Sequence, residues 1–195
     1  MAVWSFMREF ARSPTKLGAL APSGKALARR TVEAAEIVPA HVVVELGAGT
    51  GPMTEVIVHA HPDVPFMALE PNAKLAHKLR FKYPRVHVAE SYAQDLPHVM
   101  QDWGQPRVDR IVSGLPFAIW PAYVQEACFH GITDVLADDG RMVTFTYVHA
   151  QMLPAARRLR KRLDMWFDNV EKTEVEWANL PPAFVFVCDG PRAPT

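Results

Sequence analysis

The chain is poor in three things. It has only two cysteines in 195 residues, Cys128 and Cys188. They lie too far apart for a metal or redox spacing, so they read as buried, reduced residues of a cytosolic protein. It has no net charge, with 21 basic residues against 21 acidic ones. No global basic field draws it to a polyanion, and a nucleic-acid partner would need a local basic patch. It also has no apolar run long enough to span a bilayer. The opening MAVWSFMREFARSP sets Arg8, Glu9 and Arg12 among its apolar residues. That excludes the uninterrupted apolar region of a signal peptide. The pattern holds no internal repeat, no long linker and no cluster of metal-ligating residues.

What is present is a globular core. Apolar residues make up 49% of the chain, enough for one domain of this length. Val3, Phe6, Met7 and Phe10 recur at helical spacing, and Pro14 and Gly18 break that segment. A second helix is expected over about 23–36, with Ser23 as its N-cap. In HVVVELGAGTG, Val42 to Val44 form the β-branched run of a strand buried on both faces. A helix over 51–60, the strand PFMALE and the helix NAKLAHKLRFKY follow. Next come strands at RVHVAE and VDRIVSG and a helix at PAYVQEACFHGITDVL. DDGRMVTFTYV reads as a turn and then a strand, LPAARRLRKRL as a helix. NVEKTEVEWANLPPAFVFVCDG reads as two strands around a proline-marked break. Alternating strands and helices imply an α/β fold, a mostly parallel sheet covered on both faces. The last strand pair implies an antiparallel member near one edge. Residues 1–20 are expected to form an N-terminal amphipathic helix and covering segment, and 21–195 the main domain.

Gly47, Gly49 and Gly51 stand at the carboxyl end of the first strand, directly before a helix. Glycines there allow a tight turn and close backbone approach to a ligand. With Glu45 they spell E-x-G-x-G-x-G, which resembles motif I of class I S-adenosylmethionine (AdoMet) methyltransferases. The next strand ends in Glu70 and Pro71, about 20 residues further on, where an acid can accept from both ribose hydroxyls. The resemblance implies that role for Glu70, and for Glu45 a hold on the methionine end of the cofactor. Ala48 lies within the same loop. Taken alone, the glycines could simply make a turn and Glu70 end a strand in solvent; the whole constellation favours AdoMet. The third strand departs from the pattern. Many relatives have Gly-Asp-Ala where this chain has Ser91-Tyr92-Ala93, leaving Tyr92 to stack on adenine or Ser91 to bond it. Asp95 reads as the cap of the following helix.

IVSGLPF, residues 111–117, resembles the (Asn/Asp/Ser)-Pro-Pro-(Tyr/Phe) loops that hold a nitrogen for methylation. Ser113 is in place, but the first proline is missing and Gly114 is inserted. NLPPA, 179–183, looks closer to that motif. It lies between the last two strands, however, whereas a catalytic loop must follow the fourth; there Asn179 could border the substrate pocket or equally make a proline-directed hairpin turn. FARSPTKLGALAPSGKALARR, VVVELGAGTG, VSGLPF, FTYV and NLPPAFV together resemble the bacterial phospholipid N-methyltransferase family, similar in fold and motif order to ribosomal RNA adenine dimethyltransferases. The resemblance implies the class I Rossmann-like three-layer sandwich, with a mostly parallel seven-stranded sheet and an antiparallel strand near one edge. It implies methylation of the phosphatidylethanolamine headgroup toward phosphatidylcholine, some close relatives acting on other amino lipids. It also makes Pro22, Ser23 and Ser113 neighbours of AdoMet.

The chemistry needs a neutral amine in line with an activated methyl group, in a site that excludes water. Aromatic faces stabilise the cationic product. The carbonyls of Ser113 and Leu115 are candidate acceptors for the amine. Among the aromatics near the expected mouth, Phe117 and Tyr147 come first because both follow strand ends, ahead of Trp120, Tyr123 and Trp177. A lipid substrate requires membrane contact. Trp4, Phe6 and Phe10 with Arg8 and Arg12 have the composition of an interfacial helix on an anionic membrane surface. The basic run Arg157, Arg158, Arg160, Lys161 and Arg162, ahead of Leu163, Met165, Trp166 and Phe167, could grip anionic headgroups. The first helix could equally pack on the domain, and the basic run could be a solvated face. The expected protein is cytoplasmic and peripheral to the inner face of the membrane, with no nucleic-acid partner. An rRNA adenine N6-methyltransferase is the first alternative; it would carry a further basic helical domain and a basic charge balance. A membrane-associated AdoMet-binding protein without catalysis is the second. Nothing in the sequence bears on oligomeric state.

Overall fold

The computed structural model describes residues 3–6, 8, 24–152 and 154–192. Ala21, Pro22, Ser23, Phe10 and Arg12, and the expected break after the first helix, lie outside the described residues.

The valine run of the first strand forms β1 (Val43–Leu46), all four residues buried. β2 (Phe66–Leu69) is buried in the same way. Continuous burial is what a central parallel strand between two helical layers demands. With β3 (His87–Ala89), β4 (Val108–Ser113), β5 (Leu136–Tyr147), β6 (Phe167–Lys172) and β7 (Ala183–Pro191), they form one sheet of seven strands in the order β3-β2-β1-β4-β5-β7-β6. β7 runs antiparallel to both of its neighbours, one place in from the edge. The remaining pairs are parallel. This is the sheet the sequence leads one to expect.

Helices α1 (Lys25–Ala34), α2 (Pro52–Ala60) and α3 (Ala73–Lys82) cover one face; α4 (Leu96–Trp103), α5 (Ala122–Val135) and α6 (Pro154–Trp166) cover the other. Side chains alternate along each strand, so β1 sends Val43 into the first core and Val44 and Leu46 into the second. Both cysteines are buried and free, and burial pushes the Cys128 thiol up to about 12.

Three local expectations are corrected. The N-cap position of α1 is Gly24, not Ser23, and no side chain of α1 caps it. Asp138, Asp139 and Gly140 do not make a separate turn. They run within β5, which shifts register against β4 between Val108↔Leu136 and Arg110↔Arg141. Asp95 stands at the N-cap of α4 but its side chain makes no capping hydrogen bond.

The amphipathic segments also differ from the interfacial reading. Val3 and Phe6 pack against the core, Trp4 meets Tyr92 edge-on at 5.5 Å, and Phe6 meets Trp120 at 6.2 Å. Trp4 stays 47% exposed, and Arg8 is exposed. Of the apolar residues after the basic run, Leu163, Trp166 and Phe167 are core and only Met165 is exposed. The basic run itself lies on α6, where Arg160 pairs with Asp164 at 2.9 Å one turn away.

Candidate active site

The parallel strands end together on one edge of the sheet. Register sets Leu46 of β1 beside Leu69 of β2 and Ser113 of β4. The loops that leave these three strands therefore meet.

The glycine loop leaves β1 with Gly47, Gly49 and Gly51 all at positive φ. A Cβ on Gly49 (φ +59°) would have the Gly47 carbonyl as its nearest neighbour, 4.0 Å away. The crest of the loop thus faces open space, and a bare backbone there can be approached closely. Glu70 holds the crest from β2. Its Oε2 accepts the Gly49 N–H and its Oε1 the Asn72 N–H, both at 2.8 Å. Burial pushes the Glu70 carboxyl above the usual range, against the pull of these two donors. Each oxygen keeps a further lone pair for a ribose hydroxyl. Pro71 follows at half burial, and Ala48 is buried with its N–H on the Leu69 carbonyl at 3.1 Å.

Glu45 is fully buried. Its Oε2 accepts the Thr54 hydroxyl at 2.6 Å, while Oε1 has no partner among the described residues. Burial raises its carboxyl to about 7, the Thr54 bond pulling the other way. An unpartnered buried carboxylate oxygen calls for a cation or an N–H donor. An open glycine crest, a ribose-competent acid and a carboxylate awaiting a cation together fit AdoMet.

After β3, Ser91 and Tyr92 are half-buried, and Trp4 abuts the Tyr92 ring. The two residues expected beside adenine are thus flanked by the N-terminal helical turn.

The loop after β4 explains its own departure from the motif. A Cβ on Gly114 would lie 2.9 Å from the Gly47 carbonyl and 3.0 Å from Met53 Cε. The inserted glycine lets this loop lie directly on the glycine loop, with its N–H on the Leu46 carbonyl at 2.8 Å. The Ser113 side chain is buried, and its hydroxyl accepts the Leu115 N–H at 3.2 Å, bracing the loop. The Leu115 carbonyl, expected to be free for an amine, already accepts the Phe117 N–H at 2.9 Å. Phe117 corrects the expectation of an aromatic face at the mouth. It is 1% exposed, with its ring centroid 5.0 Å from Phe129 and 5.6 Å from Trp120. The loop's one large apolar ring goes to the core because that removes its whole surface from water. Trp120 is buried too. Tyr147 does sit at the edge. It is half-buried, its ring stacks on His149 at 5.7 Å, and its hydroxyl bonds to none of the described residues. Burial raises that hydroxyl above the usual tyrosine range.

Two further residues hold the segments at this edge in place; the sequence singles out Asn179 but not Gln125. Gln125 on α5 is buried, and its Nε2 donates to the carbonyls of Phe117 at 2.7 Å and Trp120 at 2.9 Å. The signal was there: a polar side chain on the buried face of α5, between Val124 and Cys128. Asn179, expected either to border the substrate pocket or to make a turn, is also buried. It accepts the Gly24 N–H at 3.0 Å and donates to the Pro181 carbonyl at 2.6 Å. With both amide atoms bonded, Asn179 ties the start of α1 to NLPPA, on the edge that carries Tyr147. Among the described residues, no His, Cys, Asp and Glu gather as a metal site, and no helix is long and apolar enough to cross a membrane.

Comparison with known proteins places this geometry. No family model matches the chain. It is 36% identical over 95% of its length to an ornithine lipid N-methyltransferase of Singulisphaera acidiphila, covering 94% of that protein. Among solved structures, it superposes on TrmN of Thermus thermophilus with a TM-score of 0.64 at 17% identity, covering 92% of this chain and 53% of that one. Human methyltransferase-like protein 13, solved in complex with SAH, gives a TM-score of 0.59 at 15% identity over 85% of this chain and 78% of that one. These two share the fold. Likeness along nearly the whole length, on a site built for AdoMet as methyl donor, shows that the chain belongs to the bacterial phospholipid N-methyltransferase family of class I AdoMet-dependent methyltransferases.

Proposed function

We propose that the protein methylates the primary amine of a membrane-lipid headgroup, working as a peripheral enzyme on the inner face of the cytoplasmic membrane. The full-length similarity to an ornithine lipid N-methyltransferase carries this reading. The motifs suggest phosphatidylethanolamine, methylated toward phosphatidylcholine; the relative favours an ornithine headgroup. Both present a flexible alkylamine to the same chemistry.

AdoMet, when bound, supplies a methyl group already activated on a sulfonium. The protein's task is then binding, alignment and exclusion of water. Glu70 accepts from the ribose hydroxyls while its bonds to Gly49 and Asn72 hold it still. Glu45 Oε1 would hold the ammonium of the methionine end. The loop after β4, braced by Ser113 and clamped by Gln125, presents the Ser113 and Leu115 carbonyls to the amine N–H groups; the Leu115 oxygen keeps one lone pair beside its bond to Phe117. The Tyr147 hydroxyl, bonded to none of the described residues, would bond the amine or the headgroup phosphate. The inward turn of Phe117 argues against adenine, since a flat base needs an aromatic face at this loop to stack on.

Purified protein with labelled AdoMet is offered vesicles containing phosphatidylethanolamine, vesicles containing ornithine lipid, and RNA. Label in either lipid is expected. Label in RNA alone, or in none of them, overturns the reading, the last result favouring an AdoMet-binding protein without catalysis.

A further inference from the structure

The turn between β6 and β7 carries Trp177, 73% exposed, and Leu180, 91% exposed. Single exposed apolar residues are ordinary. Here two share one short turn, and the turn is tied down where it cannot fold back over them. The Glu176 N–H donates to the Ala183 carbonyl at 2.6 Å, and the Ala178 N–H to Glu176 Oε1 at 3.0 Å. Asn179, between the two apolar residues, is buried and bonded to Gly24 and Pro181. Pro181 and Pro182 restrict the backbone further.

The turn's place is set by register. Ala183 pairs with Tyr147 at the end of β5, and the Val148 N–H donates to the Pro182 carbonyl at 2.9 Å. The turn therefore projects past the strand ends, beside Tyr147, on the edge that carries the glycine loop. Exposed Ile119 and Tyr123 belong to the segment that leaves β4 at that edge.

We infer that the Trp177–Leu180 turn inserts into the headgroup–acyl boundary of a lipid bilayer, so that the catalytic edge itself faces the membrane. This rests on the lipid reading above. A headgroup amine can reach this edge while its tails stay in the bilayer only if the edge lies against the bilayer. Tryptophan and leucine are suited to that depth, the indole sitting at the interface and the aliphatic chain below it. The turn's neighbours Glu174 and Glu176 are acidic. Its insertion is thus driven by apolar burial and not by anionic lipid, which distinguishes it from a basic helix face.

The test is vesicle sedimentation of the full chain in high salt, with neutral phosphatidylcholine vesicles. Wild type should bind. Leu180→Ser and the double variant Trp177→Ser/Leu180→Ser should lose roughly tenfold or more in binding, with AdoMet affinity unchanged as a check on folding. For Leu180→Ser, methylation of the lipid substrate should fall in vesicles but not in detergent micelles. Wild-type protein that does not sediment in high salt, or variants that sediment as wild type does, would overturn the inference. The two readings fail separately. Salt-resistant binding lost in the variants, without lipid methylation by wild type, keeps the surface and removes the enzyme reading. Lipid methylation with unchanged variant binding does the reverse.

Discussion

Asn179 Oδ1 accepts the Gly24 N–H at 3.0 Å, joining residues 155 apart in the chain. This side chain ties the start of α1 to the β6–β7 turn, and the Val148 N–H on the Pro182 carbonyl ties that turn to the Tyr147 end of β5. Asn179→Ala strands a backbone donor and a carbonyl. The expected cost is about 1–3 kcal/mol, read as a Tm lower by roughly 2–12 °C for a chain of this size. An unchanged Tm would show that water replaces the amide without loss.

Gly49→Val should block AdoMet. The residue sits at φ +59°, and its Cβ would project into the open crest rather than into protein. Affinity measured by calorimetry should fall by roughly 100-fold, while strain at this φ costs only about 1–2 kcal/mol of stability. Wild-type affinity in a folded variant would mean the cofactor does not approach this loop.

Glu45 makes a pH prediction. Its carboxyl is raised from 4.5 to about 7 in the ligand-free protein. Between those values the folded state binds more protons than the unfolded state, so stability falls as pH rises. The contribution is complete below pH 4.5 and lost as pH passes through 7. A cationic ligand prefers the carboxylate, so AdoMet affinity should rise from pH 5.5 to 7.5, by up to about tenfold per pH unit. Glu45→Gln should bind weakly and flatten most of both slopes, leaving the smaller share of Glu70, which is raised in the same direction. Persistence of the full slopes would exclude Glu45 as their source.

Gln125→Leu removes the donor from the Phe117 and Trp120 carbonyls. Gln125 acts through the loop, so it is a positioning residue. Turnover should fall by roughly tenfold or more as the loop loses alignment, with AdoMet affinity near that of wild type. A loss of stability with kcat unchanged would assign Gln125 to folding alone.

Tyr147→Phe keeps the ring and its stacking on His149 but removes the hydroxyl. Turnover should drop with cofactor affinity intact. Unchanged turnover removes the hydroxyl from the mechanism.

The sequence by itself determined what is local. Alternating valine-rich strands and amphipathic helices specified the layered sheet, because burial on both faces leaves a continuous apolar run. The glycines of 47–51 and the acids Glu45 and Glu70 marked the cofactor loop, because positive φ and a charge at a strand end are properties of a few neighbouring residues. Tertiary structure alone decided how side chains were spent. Phe117 could have faced the mouth, yet the space between β4 and α5 took its ring and left Tyr147 at the edge. Gly114 looked like a defect until the loops after β1 and β4 were seen in contact. Asn179 reads from sequence as a pocket border or a turn residue, and only the fold brings Gly24 from the far end of the chain to bond it. Contacts of that kind exist only once helices have packed on the sheet, where excluded volume and the need to pair every buried polar group choose among orientations that the local chain leaves equal.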